Sequence, residues 1–336
     1  MCTRPNYMIH DGTFTKNERP HFKFLGHHQF DDILKKQKEF NLPYIQVPCG
    51  QCLECRIQHA RQWADRCVLE AKQYKDNYFV TLTYDDEHLP ERNSLNPKDL
   101  TLFLKRLRKR FKGIKIRFLA CGEYGDASFR PHYHLCLFNL PLNDLSYTFE
   151  LIDNSLDVEV FKEKPHFVKH LRPNNKGDLL YSRLIYECWQ YKGMISVARF
   201  NYDTAAYVSQ YVTKKVNPKQ AQLYKELNIV PEFLRMSNRP GIGAAYFHQK
   251  DTELHAQGSM IIPQDGEAHV SSIPRYFDKL FIAKYGEDVF LPVRQKRYKK
   301  KMVNAETYEH SKRRYDDECN LRDYKLHKRQ LLRNSI

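Results

Sequence analysis

The sequence predicts an α+β fold in which helices pack against one central, mostly antiparallel sheet. Segments rich in β-branched and aromatic residues, typical of strands, alternate with segments whose apolar residues recur at helical spacing. Two predicted strands, residues 114–125 and 132–140, are joined by a short loop with Gly and Pro, which favours antiparallel neighbours. The 336 residues are enough to bury a sizeable core.

The first 70 residues are predicted to form a segment with a cysteine cluster, a candidate zinc site, and a basic helix. Residues 1–48 contain four prolines and no long periodic segment, so we expect a loop-rich lead-in. Residues 56–74 lack Gly and Pro and place these apolar residues on one helix face: Ile57, Ala60, Ala64, Cys67, Val68 and Ala71.

Residues 71–260 are predicted to form the core domain because they carry most of the remaining periodic segments. Besides the two neighbouring strands, these are a strand over 77–86, a helix over 99–111 capped by Asn96 or Asp99, a strand over 193–200, and a helix over 203–215 capped by Asp203. Residues near 141–195 read as an insertion, and residues 261–336 as a basic C-terminal extension.

The composition is that of nucleic-acid binders. Lys and Arg number 55 against 40 acidic residues, the formal net charge is +15, and 22 Tyr and 20 Phe accompany the basic residues. From charge alone, an ordinary basic enzyme is the alternative. The helix over 99–111 should bury Leu104 and Leu107 and present to phosphates Lys105, Arg106, Arg108 and Lys109, and the C-terminal RQKRYKKK adds a second basic segment.

The N-terminus lacks the apolar segment of a secretory signal, and charges interrupt every candidate membrane span. We therefore expect a cytoplasmic protein with no membrane partner. Nine cysteines without an export signal favour reduced thiols or metal ligation over a disulfide framework. The sequence has no nucleotide-binding phosphate loop, so any unwinding of DNA is expected to need a separate helicase.

Two histidines in RPHYHLCLF are candidate metal ligands. Side chains alternate along a strand, so His132 and His134 share one face about 6.5–7 Å apart and can converge on one cation. Glu123, on the neighbouring predicted strand, supplies a carboxylate from across the sheet. Buried imidazoles need polar partners, which a metal would provide at once. Histidines satisfied within the core are the alternative.

Two tyrosines in YVSQYVTKK are candidate nucleophiles. Tyr207, Tyr211 and Lys214 recur at helical spacing and project from one face. A phenol with its ordinary pKa of about 10 is a poor nucleophile unless a cation, here Lys214 or a divalent ion, favours the phenolate. Its attack on a DNA phosphodiester would leave a 5′-phosphotyrosine and a free 3′ hydroxyl. Plain packing of the aromatic rings on the sheet is the alternative.

The segment PCGQCLEC indicates a second metal site. Cys49, Cys52 and Cys55 supply three thiolates, and a tetrahedral structural zinc site needs a fourth ligand. Cys2 is the first candidate, and His59, one helical turn beyond Cys55, is the second. An iron–sulfur cluster fits less well, since a Cys-Pro pair is expected where the chain has His-Ala; three reduced structural thiols are the remaining alternative.

Together, these motifs resemble the HUH class of rolling-circle nucleases. YFVTLTY, RPHYHLCLF and YVSQYVTKK follow one another in the order of that class, and the resemblance covers roughly residues 44–250. The tyrosine pair, with VPCGQCLEC, GEYG and RPGIGAAYF, resembles more closely the replication initiators of single-stranded DNA microviruses of the gokushovirus-like branch.

The resemblance implies a Rep-like fold and an origin-specific nickase that starts rolling-circle replication in the cytoplasm of a bacterial host. Its partners would be single-stranded and duplex origin DNA, a host helicase and a host polymerase. It implies Mg²⁺ or Mn²⁺ at the active site and gives roles to these residues: His132 and His134 as metal ligands, Glu123 as accessory ligand, Tyr207 and Tyr211 as nucleophiles, and Lys214 as the motif lysine.

Two other functions fit part of the pattern. An HUH transposase or relaxase would share every catalytic residue and differ in its DNA substrate. A non-catalytic zinc-containing DNA-binding protein would keep the basic charge and the cysteines but would need neither tyrosine.

Overall fold

The computed structural model describes residues 6–14, 20–26, 35, 44–50, 52–125, 128–147, 180–214, 222, 224–264, 266–299 and 302–303. Much of the predicted insertion and most of the C-terminal tail lie outside these residues. The chain divides into two compact units, residues 1–58 with 281–336, and residues 59–280.

The helices of the described residues are α1 (Leu53–Ala71), α2 (Pro97–Arg110), α3 (Arg183–Trp189), α4 (Tyr202–Lys214), α5 (Ala244–Gln257), α6 (Arg275–Tyr285) and α7 (Glu287–Lys299). The strands are β1 (Asn6–Phe14), β2 (Pro20–Gly26), β3 (Tyr44–Val47), β4 (Asn77–Leu82), β5 (Arg117–Tyr124), β6 (Pro131–Phe138), β7 (Leu145–Tyr147), β8 (Leu180–Ser182), β9 (Ile195–Arg199), β10 (Phe233–Met236), β11 (Ser259–Gln264), β12 (Glu267–Ser272) and β13 (Met302–Val303). None of these helices combines the length and the apolar character that a membrane crossing requires.

The first unit contains a four-stranded antiparallel sheet in the order β13-β3-β1-β2. The prediction of a loop-rich lead-in over residues 1–48 is therefore wrong where the strands lie. Tyr7 and Ile9 alternate with more exposed neighbours and are buried. Pro20 is the first residue of its strand, a position where a missing N–H costs no ladder hydrogen bond. Counting prolines therefore underestimates the strand content.

The second unit is built on a seven-stranded sheet in the order β10-β5-β6-β4-β9-β8-β7. Every neighbouring pair is antiparallel, and helices flank the sheet, which confirms the predicted α+β class. The predicted neighbours β5 and β6 pair directly, with Glu123 opposite His132 and Cys121 opposite His134. This register places three of the predicted site residues at one end of the two strands.

Each face of the sheet is covered by different helices. On one face, residues of α2 and α3 pack with inward residues of the sheet, including Leu100, Phe103, Ile185, Val80 and Leu135. On the other face, residues of α1 and α4 do so, including Ala64, Ala205, Val208, Cys136 and Phe138. Alternation along β6 therefore puts the face of His132 and His134 under α4, as the strand period predicts.

Side-chain caps set the start of two helices. Asn96 caps α2, since its side chain accepts a hydrogen bond from the Lys98 N–H. At α4, the Asn201 side chain accepts from the Thr204 N–H at 2.8 Å, and Thr204 Oγ1 accepts from the Asn201 N–H at 3.0 Å. The predicted cap Asp203 is wrong, because it lies inside the first turn of the helix.

A glycine permits the close approach of the segments that follow β4 and precede β9. Gly193 has φ +148, and a Cβ at this position would lie 2.5 Å from the backbone N of Asp85. Two hydrogen bonds join the same segments, from the Thr83 N–H to Met194 O and from the Asp85 N–H to Lys192 O. No other residue type fits between these backbones without displacing one of them.

A buried ion pair ties α1 to β5 and to the loop before α5. The guanidinium of Arg117 contacts Glu70 and also donates to Gly241 O at 3.1 Å. The second carboxylate oxygen of Glu70 accepts the Gly243 N–H at 2.6 Å. Both charged groups are buried, so each depends on the other for compensation.

Candidate active site

The candidate active site lies where the end of β5, the start of β6 and α4 meet. Glu123 faces His132 across the β5–β6 pair, and His134 follows two residues later on the same face of β6. Helix α4 packs over this face and brings Tyr207 to the same place. The structure thus brings together Glu123, both predicted histidines and one of the predicted tyrosines.

One carboxylate oxygen is shared by both imidazoles. Nε2 of His132 and Nε2 of His134 lie 2.7 and 2.9 Å from Glu123 Oε1. The other oxygen, Oε2, is buried and has no hydrogen-bond partner among the described residues. Burial disfavours the charged form of Glu123, but the hydrogen bonds and charge of the two histidines outweigh it and lower the pKa of Glu123 to about 2. The carboxylate is therefore ionised at neutral pH.

The ligand atoms of Glu123, His132 and His134 lie within 4.8 Å of one another, so this group could hold a metal ion. Two neighbouring ligands of an octahedral ion, each bonded at about 2.1 Å, stand about 3 Å apart, close to the separations seen here. A buried carboxylate oxygen with an unused lone pair also fits, since it is costly to bury without a partner. Two nitrogens and one carboxylate leave other coordination positions open.

Strand β4 holds His134 in place. Thr81 lies opposite His134 in the β4–β6 register, and its Oγ1 is 2.9 Å from His134 Nδ1. Phe79, on the same face of β4, stacks on the imidazole with a centroid separation of 5.4 Å and an interplanar angle of 10°. A proton on Nδ1 shared with Thr81 leaves the lone pair of Nε2 directed toward Glu123.

His132 is positioned by the backbone. Its Nδ1 lies 3.1 Å from the carbonyl oxygen of Arg130, in the loop between β5 and β6. When Nδ1 carries the proton and donates it to this carbonyl, Nε2 is left as a ligand atom. Both imidazoles therefore have a polar neighbour on the nitrogen that points away from Glu123.

Tyr207 reaches the site from α4. Its hydroxyl donates to Glu123 Oε1 at 3.2 Å, and its ring meets the His134 ring edge-on at a centroid separation of 4.9 Å. The side chain is 39% exposed, so a substrate can approach the phenol from solvent. Tyr211 and Lys214 lie four and seven residues further along the same helix, and their side chains lie outside the described ones.

The cysteine cluster forms a second group that could hold a metal ion. The Sγ atoms of Cys49, Cys52 and Cys55 lie within 4.8 Å of one another, and those of Cys49 and Cys55 are 4.0 Å apart. The Cys52 N–H donates to Cys49 Sγ at 3.2 Å. Of the two candidates for a fourth ligand, Cys2 lies outside the described residues and His59 is an exposed residue of α1.

Sequence reasoning misses Thr81 and Phe79 as residues of the site. Both lie in the predicted strand YFVTLTY, and alternation places them on one face of it. Their contacts with His134 follow from the pairing of β4 with β6, and neither strand reveals that register by itself.

Comparison with known proteins identifies one family and several relatives. Residues 77–216 match the family described as replication-associated protein ORF2. The replication-associated protein ORF2 of Spiroplasma virus 4 is 34% identical over 310 residues, which cover 89% of this chain and 86% of the relative. The replication-associated protein VP4 of Bdellovibrio phage phiMH2K is 29% identical over 264 residues, 75% of this chain and 73% of the relative.

A third relative, the replication-associated protein ORF4 of Chlamydia phage 1, is 31% identical over 202 residues, 58% of this chain and 42% of its own length. No solved structure matches the chain. The family match contains β4, β5, β6 and α4, the elements that carry Glu123, both histidines and Tyr207. The chain belongs to the family of microvirus replication-associated proteins.

Proposed function

We propose that the protein initiates rolling-circle replication by nicking the origin strand through a tyrosine nucleophile and later rejoining it. The observation that carries the proposal is the contact of the Tyr207 hydroxyl with the carboxylate that both histidines share. It places a nucleophile beside a group suited to a cation, in a chain of the replication-associated family.

In this mechanism, His132, His134 and Glu123 would hold Mg²⁺ or Mn²⁺. The ion would polarise a phosphoryl oxygen and stabilise the negative charge of the transition state. Glu123 would position the phenol oxygen of Tyr207 through their hydrogen bond. Thr81 and Phe79 would keep His134 in the orientation that a ligand needs.

The covalent step is a transesterification that needs no other energy source. The phenol oxygen of Tyr207 forms a bond to phosphorus, the bond from phosphorus to the 3′ oxygen breaks, and the proton of the phenol is replaced on the leaving 3′ hydroxyl. The products are a 5′-phosphotyrosine and a free 3′ end. The reverse reaction rejoins a strand, and Tyr211 would supply a second nucleophile while Tyr207 is occupied.

The test is formation of a covalent adduct with single-stranded oligonucleotides that tile the phage genome, in the presence of Mn²⁺. Separation on a denaturing gel detects the adduct. We expect Tyr207→Phe and Tyr211→Phe each to keep part of the adduct, the double variant to lose all of it, and His134→Ala to lose most. Tyr202→Phe, on the first residue of the same helix, serves as control and should behave like the wild type.

An adduct that persists in the double variant would show that the nucleophile is elsewhere. A protein that binds origin DNA but forms no adduct with any oligonucleotide would support a non-catalytic DNA-binding role instead. Unwinding of the duplex and synthesis would fall to a host helicase and a host polymerase in either case.

We also assign the cysteine group to a structural zinc ion, with Cys2 or His59 as fourth ligand. Ligands bonded to zinc at about 2.3 Å in a tetrahedron stand about 3.8 Å apart, which is close to the 4.0 Å between Cys49 and Cys55. Metal analysis of the purified chain should find about one zinc ion, which Cys52→Ser should remove. Cys188→Ser, at a buried cysteine outside the cluster, should retain it.

A further inference from the structure

The loop between β5 and β6 presents an exposed aromatic ring next to the site. Phe129, three residues before His132, is 42% exposed. Its ring lies on the Tyr124 ring with a centroid separation of 4.7 Å and an interplanar angle of 7°. Tyr124 itself is 4% exposed, and its hydroxyl donates to Val230 O at 2.7 Å. The exposed ring therefore rests on a buried ring that cannot easily move.

Phe129 has a backbone conformation that bulky residues rarely adopt. Its φ is 53°, in the left-handed region, where a glycine would be free of strain. Hydrogen bonds hold it there, from the Phe129 N–H to Gly125 O at 2.8 Å and from the Gly125 N–H to Arg130 O at 3.0 Å. A strained position that is filled by an exposed phenylalanine points to a contact that neither folding nor solvation explains.

The same loop is tied to the candidate active site. The carbonyl oxygen of Arg130 that accepts from Gly125 also lies 3.1 Å from Nδ1 of His132. A Cβ on Gly125 would lie 3.7 Å from Cε1 of the same imidazole. The Arg130 side chain donates to Asp86 and to the backbone oxygen of Tyr84, which anchors the loop to the end of β4. A ligand on Phe129 would therefore lie against residues that directly position a metal-binding group.

We infer that Phe129 is a stacking platform for an unpaired nucleobase of the DNA strand that enters the site. The inference rests on the proposed function and deepens it, because it requires the substrate strand to be single-stranded there. In a duplex, the faces of a base are covered by its neighbours and cannot meet a protein ring. Stacking on an aromatic side chain tolerates every base, so this contact would hold the strand without reading its sequence.

The test measures the affinity of the full-length chain for a fluorescein-labelled, mixed-sequence single strand of about 20 nucleotides by anisotropy, without added divalent metal so that the strand stays intact. Phe129→Ala should raise Kd by about fivefold to 150-fold, the range for loss of one stacked base. Phe129→Trp should stay within about twofold of the wild type, and Phe129→Leu should be as weak as the alanine variant. Phe24→Ala, at a phenylalanine that is 61% exposed in the other unit, is the matched control.

A second measurement replaces one nucleotide at a time by an abasic site. The wild type should lose affinity at one position, and Phe129→Ala should lose nothing further there. Equal Kd values for wild type and alanine variant, or a leucine variant that binds as tightly as the wild type, would overturn the inference. Circular dichroism melting of each variant controls for folding, and the tryptophan variant keeps an aromatic ring if the alanine variant unfolds.

Failure of this inference is distinguishable from failure of the proposed function. If the wild type forms the covalent adduct while Phe129→Ala binds DNA normally, stacking is wrong and nicking stands. If no adduct forms but single-strand binding depends on an aromatic ring at this position, stacking stands and nicking is wrong.

Discussion

Replacing Thr81 by Val removes the hydroxyl that positions His134 while it keeps the shape of the side chain. Thr81 Oγ1 lies 2.9 Å from His134 Nδ1, the nitrogen that points away from Glu123. Without this hydroxyl, the imidazole is free to place its proton on Nε2, the atom that faces Glu123. The variant should therefore bind a divalent ion more weakly without losing a ligand.

The expected loss follows from the role of such outer partners. Removing the hydrogen-bond partner of a ligating histidine typically weakens metal binding about 10-fold to 100-fold, or about 1.4 to 2.7 kcal/mol. Phe79 still stacks on the ring in the variant, so we expect the lower half of this range. Because the three ligands stay in place, saturating Mn²⁺ should restore the maximal rate of adduct formation.

Isothermal titration with Mn²⁺ measures the affinity, and the Mn²⁺ concentration for half-maximal adduct formation gives an independent value. Thr83→Val is the matched control, since Thr83 Oγ1 donates to the backbone oxygen of Met194 at 2.9 Å instead. Equal Mn²⁺ affinities for the two variants would refute the reasoning. A drop in the maximal rate that Mn²⁺ cannot restore would do the same, because it would mean damage beyond metal binding.

Two further predictions concern stability, measured by urea unfolding. Gly193→Ala should cost about 2 kcal/mol or more, because its Cβ would overlap backbone atoms, whereas Gly113→Ala, also at positive φ but with nothing within 4 Å, should cost less; equal losses would mean that φ alone decides. Glu70→Gln should cost about 3–5 kcal/mol by leaving a buried guanidinium without its counter-charge. Glu253→Gln, in an exposed pair, should change little, and a similar result at Glu70 would contradict the role given to the buried pair.

Much of the core and of the candidate site could be predicted from local patterns. The two-residue period of RPHYHLCLF places His132 and His134 on one face of β6, and the structure has them there. The basic helix buries Leu104 and Leu107 and leaves Lys105, Arg108 and Lys109 exposed, as its period predicts. These features depend on neighbours a few residues apart, which the sequence lists in order.

Other features could not be predicted because they depend on segments far apart in the chain or on local geometry. The pattern does not predict the strands of the first unit, since short strands interrupted by prolines have no clear period. It favours Asp203 over Asn201 as the cap of α4, because both residue types favour caps and only the local geometry distinguishes them.

By itself, the sequence determined the residue types of the site and the faces on which they lie, because side-chain alternation and helical spacing are properties of the local backbone. The tertiary structure alone decided that Glu123 lies opposite His132, that Thr81 reaches His134 and that Tyr207 reaches the shared carboxylate. Thr81 and His134 are 53 positions apart, and Tyr207 and Glu123 are 84 apart. Strand register and helix docking arise from packing over such separations, and no local pattern encodes them.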